Sequence, residues 1–364
     1  MSLSFQGQPY SLKRYPSTTN RSLQAWSAAD EHLLRHLEES KLSLDAVAIW
    51  HDRFGALGTV LANQQPLSIL TYHSQQKALQ QNLQANQLTA TPEQWLNPLT
   101  VLPSSISLGL LRVPKSLDLF RLYLRQAAEA LQADGQLIGS FMTRHFSPKL
   151  LQIAGEYFGT VEQSRAWKKS RLLLLSSPKS GTPKIPLQEV ELDDDIRLQQ
   201  YPGVFSAQQV DPATRMLIEH LLVREEDQDI LDLGCGNGVI TRAIQAQFPD
   251  RTYHLHDDSV LATESARLNL TGDKVHVHLN DSLKPFADDS LDLVVSNPPF
   301  HLGHENNIEI SLRLFKEVRR VLRPEGHFQL VGNRHLNYRS HLLKLFPRVT
   351  ILGETPKFLV YRCG

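Results

Sequence analysis

Four consecutive residues, Asn297-Pro298-Pro299-Phe300, combine hydrogen-bond acceptors with an aromatic ring. Two prolines in succession fix φ and remove two backbone donors, but their carbonyl oxygens remain as acceptors. The Asn297 side-chain oxygen and the Pro298 carbonyl can therefore accept both N–H bonds of an exocyclic amino group. Phe300 can stack on the base that carries this group, a contact that contributes about 1–3 kcal/mol. The motif predicts a site that aims the lone pair of a weakly nucleophilic nitrogen at an electrophile, through orientation and fixed dipoles.

A glycine-rich turn precedes this motif in the chain and carries Gly234, Gly236 and Gly238 at alternate positions, with Cys235 among them. Glycine allows a positive φ and lets a ligand lie against bare main chain. The spacing departs from the G-x-G-x-x-G of dinucleotide sites, and Asp232 before the turn would repel a pyrophosphate. A sulfonium that also bears an ammonium group would be attracted instead. The turn and Asp232 therefore predict a binding site for S-adenosylmethionine.

Two further carboxylates follow predicted strands. Asp257 stands nineteen residues after Gly238, where it can accept both ribose hydroxyls through its two oxygens. Asp258 is the alternative for the same role. Asp281 follows the next predicted strand and is placed to meet the adenine amino group. These positions predict a cofactor site at the carboxyl ends of adjacent strands.

Strand and helix signals alternate through the C-terminal half, which is typical of a parallel, doubly wound α/β sheet. Short apolar runs predict the strands, and amphipathic runs that end at glycine or proline predict the helices. The predicted strands cover residues 229–233, 252–255, 275–279, 291–296 and 327–331, and the predicted helices cover residues 239–248, 259–270 and 308–322. Both chemical motifs then follow strand ends, at one edge of the sheet.

The N-terminal half shows a weaker copy of the same order. Its predicted strands cover residues 46–50, 67–71 and 108–113, and its predicted helices cover residues 75–86 and 119–131. In both halves a glycine, Gly135 or Gly326, follows a helix, and an Arg-His pair follows that glycine, at Arg144 or Arg334. We interpret this as tandem duplication of one Rossmann-like fold. Proline and small polar residues at 176–190 suit a linker, which predicts domains 1–185 and 186–364.

Charged residues divide unequally about residue 185. Residues 1–185 hold 19 Lys and Arg against 12 Asp and Glu, a net charge of +7, whereas residues 186–364 hold 19 against 26, a net charge of −7. A basic half favours contact with phosphates and predicts a nucleic-acid partner. The two cysteines form neither a disulfide framework nor a four-ligand zinc set, so we expect no metal and a reducing cytoplasmic location. No apolar run approaches the roughly 20 residues of a membrane span.

The pair LDLGCGNG and SNPPF resembles the motifs of class I amino-methyltransferases. Over nearly the whole chain, the sequence is similar to the RlmG/RsmC family, bacterial ribosomal RNA guanine-N2 methyltransferases with two tandem methyltransferase-like domains. The N-terminal segments favour the large-subunit branch of this family over the small-subunit branch. The segments that carry the resemblance are LKRYPSTTNRSLQAWSAADEHLL, HDRFGALG, RVPKSL, AWKKSRL, GVFS, LDLGCGNGVI, SNPPFH and GNRHLNY.

The resemblance implies methyl transfer from S-adenosylmethionine to the exocyclic N2 of one guanine in 23S rRNA, guanine 1835. It assigns catalysis to residues 186–364, with Asn297, Pro298 and Phe300 holding the base. It also places Phe205, in the segment GVFS, at the cofactor. The segment that follows, Val210-Asp211-Pro212-Ala213, departs from the Leu-Asp and glycine usual in the family. Because two domains are covalently joined, we expect a monomer.

For residues 1–185 the resemblance implies a degenerate domain that has lost cofactor binding and recognises RNA. Where the second half has its glycine turn, the first has Asp52-Arg53-Phe54-Gly55-Ala56. Where Asn297-Pro298-Pro299 stands, the first half has Val113-Pro114-Lys115, which offers no side-chain acceptor. Basic side chains are then expected to grip phosphates, namely Lys115, Arg144, Arg165, Lys168, Lys169 and Arg171.

Other functions remain open on sequence alone. Methylation of 16S rRNA would use the same site, and protein glutamine or adenine-N6 methylation also uses an Asn-Pro-Pro motif, usually followed by tyrosine. A different class is an RNA-binding module whose methyltransferase fold is a relic. Phe300 and the basic N-terminal half favour ribosomal RNA, and the intact motifs of the C-terminal half favour an enzyme.

Overall fold

The computed structural model describes residues 2–20, 22–193, 196–206, 209–298, 301–302, 305–306 and 308–364, apart from the side chains of Pro92, His301, Leu302, Glu305 and Asn306. The chain forms two compact units, Met1–Ile185 and Pro186–Gly364. Each unit is built on its own seven-stranded sheet. In the described part of the chain, no helix has the length and apolar character that a membrane crossing needs.

The first unit contains nine described strands and five α-helices. Its strands are β1 Leu3–Phe5, β2 Gln8–Tyr10, β3 Val47–Trp50, β4 Leu67–Ile69, β5 Trp95–Leu96, β6 Ile106–Arg112, β7 Leu131–Met142, β8 Phe158–Gln163 and β9 Ser170–Pro178. Its helices are α1 Ala28–Ser40, α2 Ala56–Val60, α3 His73–Ala85, α4 Leu117–Ala130 and α5 Pro148–Tyr157, with 3-10 turns at Ala62–Gln64, Pro92–Gln94 and Thr143–His145. The sheet has the order β5-β4-β3-β6-β7-β9-β8, and β1 pairs with β2 in a separate hairpin.

The second unit contains eleven described strands and five α-helices. Its strands are β10 Gln188–Glu191, β11 Arg197–Gln200, β12 Asp229–Leu233, β13 Thr252–Asp257, β14 Val275–Leu279, β15 Leu291–Ser296, β16 His301–Leu302, β17 Glu305–Asn306, β18 Leu322–Asn333, β19 Val349–Glu354 and β20 Phe358–Cys363. Its helices are α6 Pro212–Glu219, α7 Val239–Gln247, α8 Val260–Asn269, α9 Ile308–Val321 and α10 Tyr338–Leu342, with a 3-10 turn at Arg334–Leu336. The sheet has the order β14-β13-β12-β15-β18-β20-β19, and β10–β11 and β16–β17 are separate hairpins.

The two sheets have the same strand order, with β3, β4, β5, β6 and β7 in the places of β12, β13, β14, β15 and β18. This confirms the predicted fold class of two tandem Rossmann-like folds. The sheets are mixed, however, and not wholly parallel as the alternation of elements led us to expect. In each, the strand next to one edge runs antiparallel to both neighbours. The reason is local: β8–β9 and β19–β20 are hairpins, and strands joined by a short connection pair antiparallel.

Equivalent hydrogen bonds repeat in the two units. The Thr143 N–H donates to the Lys169 carbonyl at 2.8 Å, and the Arg334 N–H donates to the Lys357 carbonyl at 2.9 Å. The turns that begin at Thr143 and Arg334 therefore correspond, since each follows the fifth strand of its sheet. In this alignment Arg144 is equivalent to His335, so our alignment of the two Arg-His pairs is off by one residue.

The core of each unit lies on the two faces of its sheet. In the second unit the central strands bury mainly apolar side chains; Leu231, Val294 and Phe328 are fully buried. Helix α9 covers one face with Phe315 and Val318, which are also fully buried. Because side chains pack against both faces of the sheet, the central strands give a fixed support to the loops at their carboxyl ends.

Candidate active site

The glycine turn after β12 adopts the conformation that its residue types allow. Gly234, Gly236 and Gly238 have φ values of +75°, +56° and +84°, which disfavour any residue with a side chain. A Cβ at Gly238 would lie 2.5 Å from the Leu270 side chain, so this glycine lets α7 start against α8. A Cβ at Gly236 would meet no atom within 4 Å. The backbone at Gly236 therefore faces open space, as a ligand-binding turn requires.

Asp257 ends β13 beside this turn. Its Oδ2 accepts the Gly236 N–H at 3.0 Å, and its Oδ1 accepts the Ser259 N–H at 2.8 Å. Burial raises the pKa of Asp257 to about 6, although these two hydrogen bonds act in the opposite direction. Each carboxylate oxygen keeps further acceptor capacity. Asp257 is therefore oriented at the glycine turn with lone pairs available to a pair of hydroxyls.

Asp232 lies in β12 with its side chain buried. Its Oδ2 accepts the Thr241 hydroxyl at 2.9 Å and the Thr241 N–H at 3.2 Å. Its Oδ1 is buried and accepts no hydrogen bond from any residue that the structure describes. Burial raises the pKa of Asp232 to about 7. A buried carboxylate with one unused oxygen is poised to receive a cationic donor, because ion pairing would offset the cost of its desolvation.

Asn297 follows β15 directly and comes close to the glycine turn. The Ser296 hydroxyl donates to the Leu233 carbonyl at 2.7 Å, which joins the ends of β15 and β12. The Asn297 Nδ2 donates to the Thr214 hydroxyl at 2.8 Å and to Oδ2 of Asp211 at 3.2 Å. The Asn297 Oδ1 is buried and has no hydrogen-bond donor among the described residues. The side chain thus has one acceptor without a donor in the described part of the chain, and its role in holding a base stays a prediction.

The other residues of the two motifs divide into placed and undescribed ones. Pro298 is buried next to Asn297. Pro299 and Phe300 lie outside the described residues, so the stacking prediction stays a prediction. Cys235 is buried in the turn, where burial raises the pKa of its thiol well above the usual value. The thiol is therefore a packing group and not a nucleophile.

Asp281 and Phe205, two further predicted cofactor ligands, occupy different environments. Asp281 is buried, and its Oδ2 lies 3.6 Å from the Arg313 guanidinium on α9. Phe205 is 69% exposed, although its neighbour Val204 is buried. An exposed aromatic ring held by a buried neighbour is available to cover a ligand. In the described part of the chain, no three His, Cys, Asp or Glu side chains cluster in a way that could hold a metal ion.

The structure adds residues that the sequence analysis missed. Gln200, fully buried at the end of β11, accepts a hydrogen bond from the Asn237 amide of the glycine turn at 2.9 Å. Asn269 on α8 donates to the carbonyls of Asn237 and Gln199. These contacts dock the β10–β11 hairpin on the turn and lead residues 201–206 towards it. The sequence gives little indication of these contacts, because the burial of the polar residues Gln200 and Asn237 is seen only in the structure.

Asp211 and Thr214 are the other missed residues. Asp211 caps α6, accepting the N–H groups of Ala213 and Thr214 at 3.0 and 3.1 Å, and Pro212 begins the helix. The sequence signal was present, since an acidic residue followed by proline is typical of a helix start. What the sequence did not reveal is that this helix start contacts Asn297.

The first unit has different side chains at the corresponding positions. Gly55 starts α2 with φ +71°, as Gly238 starts α7, so the segment 51–55 matches the glycine turn. Our alignment of Asp52–Ala56 with the turn is therefore off by one residue. In the correct register Arg53 takes the place of Gly236, and its guanidinium lies 5.6 Å from the Phe54 ring and 5.5 Å from the Tyr72 ring.

The strand pairing fixes two more equivalences. Ile49 pairs with Ser68 and Leu110 as Asp232 pairs with Leu255 and Val295. Leu70 then stands where Asp257 stands, and Arg112 where Asn297 stands, which shifts the predicted match of Val113–Lys115 by one residue. Arg53, a bulky cation, replaces the open Gly236, and Leu70 replaces the carboxylate of Asp257. The first unit therefore lacks the groups that form the site in the second unit.

Arg171 is half-buried, whereas the other five predicted RNA-binding residues are exposed in the first unit, namely Lys115, Arg144, Arg165, Lys168 and Lys169. Burial lowers the pKa of His145 most, and the positive charges of Arg144, Arg112 and Lys115 lower it further. Lys168 contacts Glu31 at 2.8 Å. The Arg171 guanidinium donates to Gln163 at 3.2 Å, in the sheet and away from the hairpin tip.

Comparisons with known proteins cover the whole chain. The sequence profile of the RLMG N-terminal domain matches residues 1–180, and that of the methyltransferase small domain matches residues 195–362. A solved structure, the T. thermophilus 16S rRNA N2 G1207 methyltransferase (RsmC) in complex with AdoMet and guanosine, superimposes with a TM-score of 0.76. Its sequence is 22% identical, and the match covers 100% of this chain and 97% of that one. At this identity the likeness establishes a shared fold.

Sequence relatives are nearer. The ribosomal RNA large subunit methyltransferase G of Shewanella sp. (strain W3-18-1) is 33% identical over 370 residues, which cover 98% of this chain and 97% of the relative. The protein of the same name from Shewanella loihica (strain ATCC BAA-1088 / PV-4) is 32% identical, with 97% of this chain and 92% of the relative covered. Since both chains are covered almost completely at this identity, the protein belongs to the ribosomal RNA large subunit methyltransferase G family.

Proposed function

We propose that this protein transfers a methyl group from S-adenosylmethionine to the exocyclic N2 of one guanine in 23S rRNA, the nucleotide that corresponds to guanine 1835. One observation above all supports an amino nitrogen as the atom that receives the methyl group: the buried Oδ1 of Asn297 has no hydrogen-bond donor among the described residues. An exocyclic amino group would supply the N–H donor that this oxygen lacks. Family membership supports ribosomal RNA as the substrate class.

The residues of the second unit fit the cofactor. The Oδ1 of Asp232 would receive its ammonium group, and the carboxylate of Asp257 would receive the ribose hydroxyls. Phe205 would cover it from the exposed side. S-adenosylmethionine supplies an electrophilic methyl carbon on a sulfonium. The open backbone at Gly236 leaves room for the chain of atoms between ribose and sulfur.

The step itself needs orientation and little acid–base chemistry. Asn297 Oδ1 and the Pro298 carbonyl would accept the two N–H bonds of the guanine N2, so that its lone pair faces the methyl carbon. The N–C bond forms as the S–C bond breaks, the electron pair of that bond stays on sulfur, and the nitrogen then loses a proton to water. The guanine must leave its helical stack to reach a site at a strand end, with Phe300 as the expected stacking partner.

The first unit offers a surface that fits RNA phosphates. Lys168 and Lys169 form the tip of the β8–β9 hairpin with φ values of +44° and +61°, which cost about 1–2 kcal/mol per residue for non-glycine residues. Backbone hydrogen bonds between Trp167 and Ser170 hold this tip at 2.8 and 3.0 Å. The Thr143 N–H, next to Arg144, donates to the Lys169 carbonyl. Exposed positive charges on a rigid tip suit a backbone grip.

Two alternatives use the same second unit. Methylation of 16S rRNA differs only in the RNA that the first unit selects, and the match of residues 1–180 to the RLMG N-terminal domain favours 23S rRNA. In the methylation of a protein glutamine, the side-chain NH2 of the substrate would also donate a hydrogen bond to Asn297 Oδ1. The net charge of +7 on residues 1–185 favours RNA over protein.

The test is incubation with radiolabelled S-adenosylmethionine and, separately, deproteinised 23S rRNA, 16S rRNA and a peptide-release factor. We expect label in 23S rRNA, as N2-methylguanosine, and mass-spectrometric mapping to place it at a single nucleotide. The Asn297→Ala variant is the matched control for contaminating activity. Label in the release factor alone would reject the RNA assignment, and label in 16S rRNA alone would reject the choice of subunit.

A further inference from the structure

The amide of Asn297 is held by the start of α6. Its Nδ2 donates to the Thr214 hydroxyl at 2.8 Å and to Oδ2 of Asp211 at 3.2 Å. Thr214 is 6% exposed, and the Asp211 carboxylate is anchored by the N–H groups of Ala213 and Thr214. The two acceptors are therefore fixed by the helix cap and do not depend on the ligand.

These contacts decide which way the amide faces. A carboxylate can only accept, so the NH2 of Asn297 must lie towards Asp211 and the carbonyl oxygen must lie on the other side. That oxygen is buried and receives no donor from the described residues. An unsatisfied buried acceptor costs about 1–3 kcal/mol, so an amide without a lock would turn to satisfy it.

We propose that Asp211 and Thr214 are positioning residues that lock the Asn297 amide with its oxygen towards the substrate amino group. The inference rests on the proposed function, because it assigns these residues to the same site. They touch no reacting atom. Their contribution is the orientation of the acceptor, which matters most when the two N–H bonds must be gripped with the lone pair aligned.

The first unit has the same contact with different chemistry. Asp30 is the third residue of α1, as Thr214 is the third residue of α6, and Arg112 stands in the place of Asn297. The Arg112 guanidinium lies 3.1 Å from Oδ1 of Asp30. At the third helix position, the cation Arg112 meets a carboxylate, whereas the amide of Asn297 meets a hydroxyl beside the cap carboxylate of Asp211. The matched change supports a built contact between the two positions.

The first test removes one acceptor at constant shape. Thr214→Val deletes the hydroxyl, and Thr263→Val deletes a buried hydroxyl that donates to the Val260 carbonyl within α8. Single-turnover methylation should slow about tenfold in Thr214→Val, the effect of removing one hydrogen bond, with an unchanged Kd for S-adenosylmethionine. Thr263→Val should match the parent. A parent rate in Thr214→Val, with parent stability, would overturn the proposal.

The second test introduces a charge repulsion at the contact and then relieves it. Asn297→Asp places two carboxylates against each other and should abolish most activity. Adding Asp211→Asn removes one of the two negative charges and leaves one oxygen of residue 297 for the substrate, while the asparagine oxygen still caps α6 at the position of Oδ2. We expect the double variant to recover roughly tenfold over Asn297→Asp, within the coupling energies usual for contacting residues. No recovery in a folded double variant would contradict the lock.

A third measurement needs no catalysis. In protein labelled with ¹⁵N-asparagine, the Asn297 side-chain NH2 signal is assigned by its loss in Asn297→Ala. Its hydrogens should exchange slowly with water in the parent and much faster in Thr214→Val. Equal exchange in both proteins would refute the inference even if the protein methylates 23S rRNA as proposed. Slow exchange in the parent together with fast exchange in Thr214→Val would uphold the inference, even if the enzyme proves to methylate an amino group other than guanine N2.

Discussion

The backbone N–H of Gly236 donates a hydrogen bond to Oδ2 of Asp257 across 3.0 Å. This bond joins the turn after β12 to the end of β13, and it orients the carboxylate before any ligand is present. The Ser259 N–H fixes the other oxygen. If Asp257 holds the ribose as proposed, its carboxylate is preorganised, and cofactor affinity should depend on the charge of this half-buried group.

Asp257 should make cofactor binding depend on pH. Burial raises the pKa of Asp257 to about 6, so its proton returns as the pH falls through that value and removes an acceptor. We expect the affinity of the parent for S-adenosylhomocysteine, measured by calorimetry between pH 5 and 8, to weaken below about pH 6. Asp257→Ala should bind about 10–100-fold more weakly at pH 8, as expected when hydrogen bonds to a charged group are removed. Parent-like binding by this variant would move the ribose role elsewhere.

Asp232→Asn should separate stability from binding. Burial raises the pKa of Asp232 to about 7, above its usual value, so the stability due to this group is complete at low pH and is lost as the pH rises through about 7. Asparagine keeps one oxygen for Thr241 and carries no charge. We expect the variant, relative to the parent, to gain thermal stability between pH 5 and 8 and to bind the cofactor at least about tenfold more weakly.

Asp52→Asn is the matched control for this change. Burial also raises the pKa of Asp52 to about 7, but its two oxygens accept the Ala56 and Gly58 N–H groups separately. Asparagine has one acceptor oxygen, so this variant should lose stability in the first unit while cofactor binding is retained. If Asp232→Asn and Asp52→Asn changed thermal stability in the same direction at pH 8, the burial of a negative charge at Asp232 would not explain the stability change in Asp232→Asn.

The hairpin tip should contribute to RNA affinity through charge. Lys168→Gln combined with Lys169→Gln should weaken binding to 23S rRNA and reduce the slope of log Kd against log salt by roughly 0.7–0.9 for each phosphate that the variant no longer neutralises. Lys168 exchanges an exposed ion pair with Glu31 for a phosphate at little cost. Lys41→Gln, at the opposite end of α1, is the matched control. An unchanged salt slope, measured by filter binding, would exclude the tip from the interface.

The strands of the second unit and the identity of the cofactor were the features most easily predicted from the sequence. Glycine at 234, 236 and 238 and an acidic residue at 257 have few other reasons to occur at strand ends, and the structure brings them together. The predicted helix over residues 308–322 differs by one residue from Ile308–Val321. Here periodicity and residue chemistry agree, so local patterns carried enough information.

What the sequence did not reveal depends on contacts between distant segments. Asp211 is 86 residues from Asn297, and nothing in either local pattern indicates that they meet. The alignment of residues 52–56 with residues 234–238 is off by one residue, because the structure matches Gly55 to Gly238 by the start of a helix. A shift of one residue moves a side chain to the other face of a strand, so only the strand pairing could identify Arg112 as the counterpart of Asn297.

The most direct test of the proposed mechanism is the effect of Asn297→Ala on the chemical step. We predict that single-turnover transfer to 23S rRNA falls by at least about 100-fold, the scale for removing one preorganised dipole from a developing charge. The Kd for S-adenosylmethionine, measured on the same preparation, should stay within about twofold of the parent, because Asn297 is expected to hold the base and not the cofactor. Transfer at the parent rate, or a loss of cofactor affinity equal to the loss of rate, would contradict the role of the buried oxygen of Asn297.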